Sequence, residues 1–417
     1  MKVFMLGWEF PPFISGGLGT ACYGLTKAMS RQGTKITFVL PGGNDQTSDF
    51  MKILTADGFL NSEEFKNITF RSTHTALNPY ASASGVSTSI EKNVETKSGS
   101  PIWQTASSGN QKHYGGDVFE KVQKYTSNAT QIAATEKFNI IHAHDWMTFP
   151  AAIAASEISG KPAVVHVHST EFDRCGDYVN QAIYDIERYG MHKAHKIIAV
   201  SNYTKNIIIN RYSVPAEKIK VVYNGVESCG ATRNISNKRD KIVLYLGRIT
   251  FQKGPEYFIA AAKRVLEKMS NVKFVIAGDG DMTHRMIEYA AYLGIGHKVF
   301  FTRFLRGQNV ERVYRMSDLY VMPSVSEPFG IAALEAMINN VPVILSRQSG
   351  IAEAVSNALK VNFWDVDEMA DKIAAVLKHQ PLRTMLTENG CAEAGGFRWD
   401  NSAAKVNEIY RQVLACA

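Results

Sequence analysis

The stretch SEPFGIAALEAM, Ser326 to Met337, follows the apolar run LYVMPSV and joins the end of a strand to the start of a helix. Proline is common at the first helical position, so the pattern predicts a helix that begins at Pro328. The backbone N–H groups of Phe329, Gly330 and Ile331 would then face any anion placed at that end.

Two carboxylates flank this helix start. Glu327 directly precedes the proline, and Glu335 lies eight residues later on the same helix. At a rise of roughly 1.5 Å per residue, they are about 12 Å apart along the helix axis. A glycosidase pair needs roughly 5 to 9.5 Å between its carboxyl groups. The two acids must therefore serve different purposes.

Short apolar runs alternate with longer helical stretches along the whole chain. The predicted strands are KVFMLG, KITFVLP, NIIHAH, AVVHVHS, KIIAVS, IKVVYNG, KIVLYLG, VKFVIAG, KVFFTRF, LYVMPS and VPVILS. Continuous apolar strands separated by helices indicate parallel sheets that are covered by helices on both faces. The predicted fold class is α/β, with two Rossmann-like, doubly wound parallel-sheet domains.

The expected domain boundaries follow from polar segments. We predict an N-terminal domain over 1–226, a linker over 227–240, a C-terminal domain over 241–396, and a final helix over 397–417 that packs back toward the N-terminal domain. A polar insertion at about 44–116 interrupts the first domain. It is either a mobile substrate-binding loop or a surface excursion without a role.

Composition narrows the class of protein. With 417 residues, 45% of them hydrophobic and 20% charged, the chain is typical of a globular protein with two or three domains. Five cysteines without metal-ligand spacing indicate a reduced, cytoplasmic setting. A net charge of +7 without a basic block gives no reason to expect nucleic acid as a partner. No apolar run approaches the roughly 18 residues of a membrane helix.

The ends of the predicted strands carry polar or glycine residues, and ligands of open α/β sheets bind at those ends. The first strand leads into WEFPPFISGGLGT, where Gly16, Gly17 and Gly19 would let the backbone approach a phosphate or sugar. A plain tight turn would have the same composition. Arg248 and Lys253, in GRITFQKG, also follow a strand and together suit a diphosphate.

Two further strand ends, HAHDW and VHVHST, are rich in histidine. Alternating histidines share one strand face, so a metal site has to be considered. No cysteine or acidic cluster accompanies them, and we therefore expect satisfied core histidines and no metal. Asp145 and His168, each at a strand end, are expected to point into one cleft.

Taken together, these residues resemble the retaining glycosyltransferases of the two-Rossmann-domain (GT-B) type, in which the domains face a cleft. The similarity is strongest to the glycogen and starch synthases and to the family 4 glycosyltransferases. It covers nearly the whole chain, because GGLG, HAHDW, the VH strand end, GRITFQKG and the Glu-x7-Glu segment occur in the family's order.

The resemblance implies a role for each candidate residue. Arg248 and Lys253 would hold the donor diphosphate, and Glu327 would contact the hydroxyls of the donor sugar. His168 would lie near the 6-hydroxyl of that sugar, and Asp145 would face the sugar or the acceptor. The remaining donor-binding positions are the glycine loop of Gly16, Gly17 and Gly19, the helix start of Phe329, Gly330 and Ile331, and Glu335 at the ribose. Basic residues would take the place of a metal, so no cofactor is implied.

The implied activity is transfer of glucose from a nucleotide-sugar to the non-reducing end of an α-1,4-glucan. Bacterial ADP-glucose synthases carry lysine in K-x-GGLG, whereas Ile14 and Ser15 precede the first glycine here. Glu335 follows the family 4 pattern instead, so UDP-glucose is favoured over ADP-glucose. The alternatives are a family 4 transferase for surface polysaccharide or glycolipid, a sugar-nucleotide epimerase, and a non-catalytic sugar-nucleotide binder. The candidate docking helix, VNQAIYDIERYGMHKAHK, mixes acids with bases, so we expect no membrane association.

Overall fold

The N-terminal half of the chain forms an α/β domain on a parallel sheet. The computed structural model describes residues 1–11, 16–41, 66–73, 118–227 and 240–416. The strands of this sheet are β1 (Lys2–Leu6), β2 (Lys35–Leu40), β3 (Ile68–Ser72), β4 (Ile140–His144), β5 (Ala163–Val167), β6 (Lys196–Ala199) and β7 (Ile219–Val221). Their order is β3-β2-β1-β4-β5-β6-β7. The helices are α1 (Gly17–Arg31), α2 (Val118–Thr135), α3 (Phe149–Ser159), α4 (Glu171–Cys175), α5 (Gln181–Lys193) and α6 (Asn202–Tyr212).

The second half repeats this architecture. Its strands are β8 (Lys241–Leu246), β9 (Val272–Ala277), β10 (Val299–Arg303), β11 (Leu319–Met322), β12 (Val343–Ser346) and β13 (Leu359–Val361), in the parallel order β10-β9-β8-β11-β12-β13. The helices are α7 (Pro255–Lys268), α8 (Thr283–Tyr292), α9 (Gln308–Met316), α10 (Ile331–Ile338), α11 (Gly350–Ala354), α12 (Val366–Lys378), α13 (Gln380–Ala394) and α14 (Trp399–Cys416). The predicted pair of doubly wound parallel sheets is therefore confirmed.

The central strands explain why the prediction succeeds. Every residue of β4 and β5 is buried, because helices cover both faces of the sheet. Such strands read as continuous apolar runs. Each fully buried Val or Ile contributes about 1.5 to 3 kcal/mol, so the runs also supply much of the core's stability.

Two strands were not predicted. β3 lies inside the polar insertion expected at about 44–116 and pairs with β2 at the edge of the sheet, with Ile68 opposite Ile36. Its residues alternate between half-buried and exposed, so it lacks the apolar run of an inner strand. β13 is only three residues long. The rest of the insertion, and residues 228–239 of the predicted linker, lie outside the described residues.

The last helix, α14, packs against the N-terminal domain. Asn407 accepts a hydrogen bond from Thr34, and Asp400 pairs with Arg31 at the end of α1. A Cβ atom at Gly24 would lie 2.3 Å from the ring of Trp399, so the absence of a side chain there allows α1 and α14 to approach. None of the described helices has both the length and the apolar character needed to cross a bilayer.

Candidate active site

A cavity of about 300 Å³ lies where the carboxyl ends of the two sheets face each other. Both domains contribute to its walls. Of the candidate residues from the sequence, eleven line it: Gly16, Gly17, Asp145, His168, Arg248, Lys253, Glu327, Phe329, Gly330, Ile331 and Glu335. The structure thus brings together residues that are more than 300 positions apart in the chain.

The helix behind this cavity begins later than predicted. α10 starts at Ile331, not at Pro328, and Gly330 is its N-cap with a φ of 112°. Glycine adopts this conformation readily, whereas a Cβ there would be strained and would lie 3.0 Å from Ile351. The amides that face an anion are therefore those of the turn from Ile331 onward. Phe329 is instead buried and stacks on Tyr223, with 5.7 Å between ring centroids.

Lys253 and Glu327 form an ion pair on the C-terminal wall. The lysine Nζ lies 2.6 Å from Glu327 Oε2, and the hydroxyl of Ser324 donates to the same oxygen at 3.3 Å. The backbone N–H of Glu327 also bonds to Gln348, which fixes the loop. Lys253 and the N-terminus of α10 line the same cavity, and a cation and a helix N-terminus can together bind a multiply charged anion.

Arg248 lies on the same wall, at the end of β8. Its Nη2 donates to Gln252 Oε1 at 3.3 Å, and the hydroxyl of Tyr245 donates to its carbonyl oxygen at 2.7 Å. A Cβ at Gly16 would lie 4.0 Å from its Nε. The glycine loop of the N-terminal domain therefore reaches across the cleft to the guanidinium group.

Glu335 lies deeper on α10. The hydroxyl of Tyr314 donates to its Oε2 at 3.1 Å and also to the carbonyl oxygen of Ala332. Burial raises the pKa of Glu335, and the tyrosine hydrogen bond opposes that change. Tyr314 therefore fixes the carboxylate of Glu335, whereas Lys253 and Ser324 hold that of Glu327.

Asp145 follows β4 with a φ of 60°, a conformation that is uncommon outside glycine. Its Oδ1 accepts the backbone N–H groups of His168 at 2.7 Å and Ser169 at 3.3 Å. Burial raises the pKa of Asp145 to about 7, although these amides and Arg174 oppose the change. The side chain therefore fixes the backbone that carries His168, in addition to lining the cavity.

The ring of His168 belongs to a group of four. His142, His144 and His166 are buried behind it, and His144 Nδ1 lies 2.9 Å from His168 Nε2. Burial lowers the pKa of His168 to about 3, so the ring is neutral near pH 7. Three of the four histidines bring a nitrogen to within 4.8 Å of one another, a group that could hold a metal ion.

The rings of this group are packed closely together. The centroids of His142 and His144 lie 4.4 Å apart with 39° between the ring planes. The group contains neither a cysteine nor a carboxylate, whereas metal sites commonly combine histidine with such ligands. The absence of a metal remains a prediction.

Gly19 is the one candidate that does not line the cavity. Its N–H, inside the first turn of α1, donates to Glu9 Oε2 at 3.1 Å. Glu9 is buried and does line the cavity, as does Trp8 beside it. Both follow β1, so the strand-end rule that found Asp145 would also have found them.

Comparison with known proteins gives matches along most of the chain. Residues 115–228 match the model of Glycosyltransferase Family 4, and residues 231–392 match that of Glycosyl transferases group 1. An uncharacterised glycosyltransferase of Methanocaldococcus jannaschii is 30% identical over 99% of this chain and 98% of its own length. A glycogen synthase of Mycobacterium tuberculosis is 25% identical over 98% and 94%. The fold is shared with Anabaena HepE, solved with UDP and glucose, at 18% identity and a TM-score of 0.72, covering 99% of this chain and all of that one.

Proposed function

This chain belongs to the glycosyltransferases of group 1 and family 4, and from that premise we propose that it transfers glucose with retention of configuration. The proposed donor is a nucleotide-sugar, with UDP-glucose favoured over ADP-glucose. The proposed acceptor is the non-reducing end of an α-1,4-glucan. The M. tuberculosis relative, named a glycogen synthase and matched over nearly its full length, supports this acceptor.

The observation that carries the proposal is the position of the Lys253–Glu327 pair. Lys253 lines the same cavity as Arg248 and the N-terminus of α10, so three positive groups face one cleft. A departing nucleoside diphosphate carries the charge that such a wall stabilises. The carboxylate of Glu327 beside the lysine supports hydrogen bonds to sugar hydroxyls next to that diphosphate.

The proposed reaction takes place on one face of the sugar. The bond between the anomeric carbon and the diphosphate oxygen breaks, and Arg248 and Lys253 stabilise the negative charge that develops there. The acceptor hydroxyl forms the new bond to the anomeric carbon, and its proton passes to the leaving diphosphate. His168 and Asp145, on the opposite wall, hold the sugar and exclude water, which favours transfer over hydrolysis.

Three observations support uridine as the base. Glu335 follows the family 4 pattern, which the ADP-glucose synthases lack, and Tyr314 holds its carboxylate in place. HepE, which shares the fold, has been solved with UDP-glucose. The lysine expected in K-x-GGLG for an ADP-glucose enzyme is absent, because Ile14 and Ser15 occupy those positions.

A second candidate function is that of a family 4 transferase for surface polysaccharide or glycolipid. The carboxylate of Glu335, in the family 4 pattern, favours it. It differs from the first candidate in the acceptor. It would use the same C-terminal wall of the cleft, which carries Arg248, Lys253 and Glu327 and is called the donor wall below.

The test is release of nucleotide from UDP-glucose and ADP-glucose, each with and without glycogen. We expect faster release from UDP-glucose, dependent on glycogen, with radiolabelled glucose entering the polymer. Release that glycogen does not stimulate would favour the second candidate, and no release from either donor would refute glucosyl transfer. The Lys253→Met variant should abolish the signal, whereas Lys268→Met, at an exposed pair with Asp371, should keep it.

A further inference from the structure

Four histidines form a stack that runs from the cleft into the core of the N-terminal domain. His142 and His144 lie on β4, and His166 and His168 lie on or just after β5. His144 and His166 are opposite each other in the sheet register. His168 lines the cavity, whereas the other three have at most 2% of their surface exposed. One ring of the stack therefore faces the cavity, and the others lie behind it.

The hydrogen bond between His144 and His168 limits the positions of the ring protons to two arrangements. His144 Nδ1 and His168 Nε2 are 2.9 Å apart, so one nitrogen donates and the other accepts. The second nitrogen of His144, Nε2, is buried and has no hydrogen-bond partner among the described residues. A buried N–H without a partner is rarer than a buried acceptor without one. This difference favours a proton on Nδ1 of His144, from which it is donated to His168.

The consequence is a defined tautomer at the cleft. Because His168 Nε2 accepts from His144, the proton of the neutral His168 ring must lie on Nδ1. We propose that His144 is a positioning residue that holds His168 as the Nδ1–H tautomer and so presents a hydrogen-bond donor to the cleft. The class of ligand atom that this donor recognises is an oxygen lone pair, such as that of a sugar hydroxyl.

The ring is held from two directions. Asp145 accepts the backbone N–H of His168 at 2.7 Å, and His144 fixes the far side of the imidazole. Burial keeps the His168 ring neutral by lowering its pKa to about 3. Both contacts therefore fix the position of His168, and Asp145 also lines the cavity itself.

The opposite end of the stack offers a matched control. His142 is as fully buried as His144, and its Nδ1 lies 2.5 Å from the hydroxyl of Tyr410 on α14. It makes no hydrogen bond to His168 within the part of the chain that the structure describes. Replacing His142 by Leu therefore disturbs the core to a similar extent without removing the contact that sets the tautomer.

The first test is NMR of the full chain labelled with ¹⁵N-histidine at pH 7.5, in which long-range ¹H–¹⁵N correlations distinguish the two tautomers. The His168 signals are assigned by their loss in His168→Ala. We expect the Nδ1–H tautomer in the wild type and in His142→Leu, and its loss in His144→Leu. His144→Asn should retain it, because the asparagine amide reaches nearly the same point as Nδ1. An Nε2–H tautomer of His168 in the wild type would refute the proposal even if no variant of His144 folds.

The second test is kinetic and rests on the proposed function. With the preferred nucleotide-sugar, His144→Leu should lower kcat/KM by about tenfold, as expected for loss of one oriented hydrogen bond. His144→Asn should recover most of that loss, and His142→Leu should stay within about threefold of wild type. Equal losses in His142→Leu and His144→Leu would reduce the role of His144 to core packing. If the wild type transfers no sugar, the proposed function fails while the NMR result still decides the tautomer.

Discussion

Replacing Lys253 by Met tests the ion pair on the donor wall. The side chains of Lys253 and Glu327 are 19% and 11% exposed, and their charged atoms lie 2.6 Å apart. Without the ammonium group, Glu327 keeps the hydroxyl of Ser324 as a donor but loses its opposite charge. Breaking a fully buried pair costs about 3 to 5 kcal/mol. Because both side chains retain some contact with water, we expect a loss of about 2 kcal/mol in the free energy of unfolding.

The same variant should lose activity for a different reason. Lys253 would stabilise charge on the departing diphosphate, so kcat/KM should fall by about 100-fold or more, equivalent to about 2.7 kcal/mol in the transition state. The double variant Lys253→Met/Glu327→Gln separates the two effects. A neutral glutamine needs no counter-charge, so unfolding stability should return to within about 1 kcal/mol of wild type while activity stays low. Urea unfolding and nucleotide release measure the two quantities.

A matched surface pair supplies the control. Lys268 also pairs with an aspartate, Asp371, but the two side chains are 48% and 68% exposed. Lys268→Met should change stability by less than about 0.5 kcal/mol and leave transfer unaffected. Activity of Lys253→Met within a few-fold of wild type would refute its role at the diphosphate. A double variant no more stable than Lys253→Met would refute the electrostatic account of the stability loss.

Four further outcomes are expected. Glu335→Gln should raise the donor KM about tenfold with little change in kcat, and an unchanged KM would exclude contact with the ribose. A Cβ at Gly17 meets nothing within 4 Å, so Gly17→Ala should keep or raise Tm but increase the donor KM; an unchanged KM would place the donor elsewhere. The pKa of Asp145 is raised to about 7 in the folded protein, against about 3.9 in the unfolded chain. The folded state therefore keeps a proton that the unfolded state releases, and the stability falls as the pH rises through that interval. The Tm of Asp145→Asn should therefore exceed that of wild type by more at pH 8 than at pH 5, and a constant difference would contradict the raised pKa. EDTA should leave the transfer rate unchanged, and a metal-dependent rate would overturn the expectation of no metal.

The architecture could be predicted because each inner strand is recognisable in the sequence as a short, mainly apolar run. β4 and β5 are buried along their whole length, which forces an apolar run that no loop or amphipathic helix would produce. β3 is an edge strand with half-exposed residues and lacks that constraint. A strand can be recognised in the sequence when other elements bury both of its faces, because only then are most of its residues apolar.

The site was predictable where one rule applied, namely that polar residues at the carboxyl ends of parallel strands face the ligand. Asp145 and Arg248 follow that rule, and so does Glu9, which the sequence analysis passed over. Tyr314 does not follow it. It reaches Glu335 from another helix, 21 residues earlier in the chain, and no local pattern marks such a contact. The start of α10 was misplaced because the left-handed conformation of Gly330, rather than Pro328, sets it.

The loop that carries Glu327 is anchored to both domains. Ser326, on one side of it, donates to Asp173 of the N-terminal domain at 2.6 Å. On the other side, the carbonyl oxygen of Pro328 accepts the hydroxyl of Ser201 at 2.6 Å. These partners are 153 and 127 residues away in sequence, so no motif could have indicated them. Any separation of the two domains must break both hydrogen bonds, whereas the bonds from Glu327 to Gln348 and Lys253 lie within the C-terminal domain and would remain. The N-terminal domain therefore adds two anchors to the loop that carries Glu327, although every side chain in the donor wall comes from the C-terminal domain.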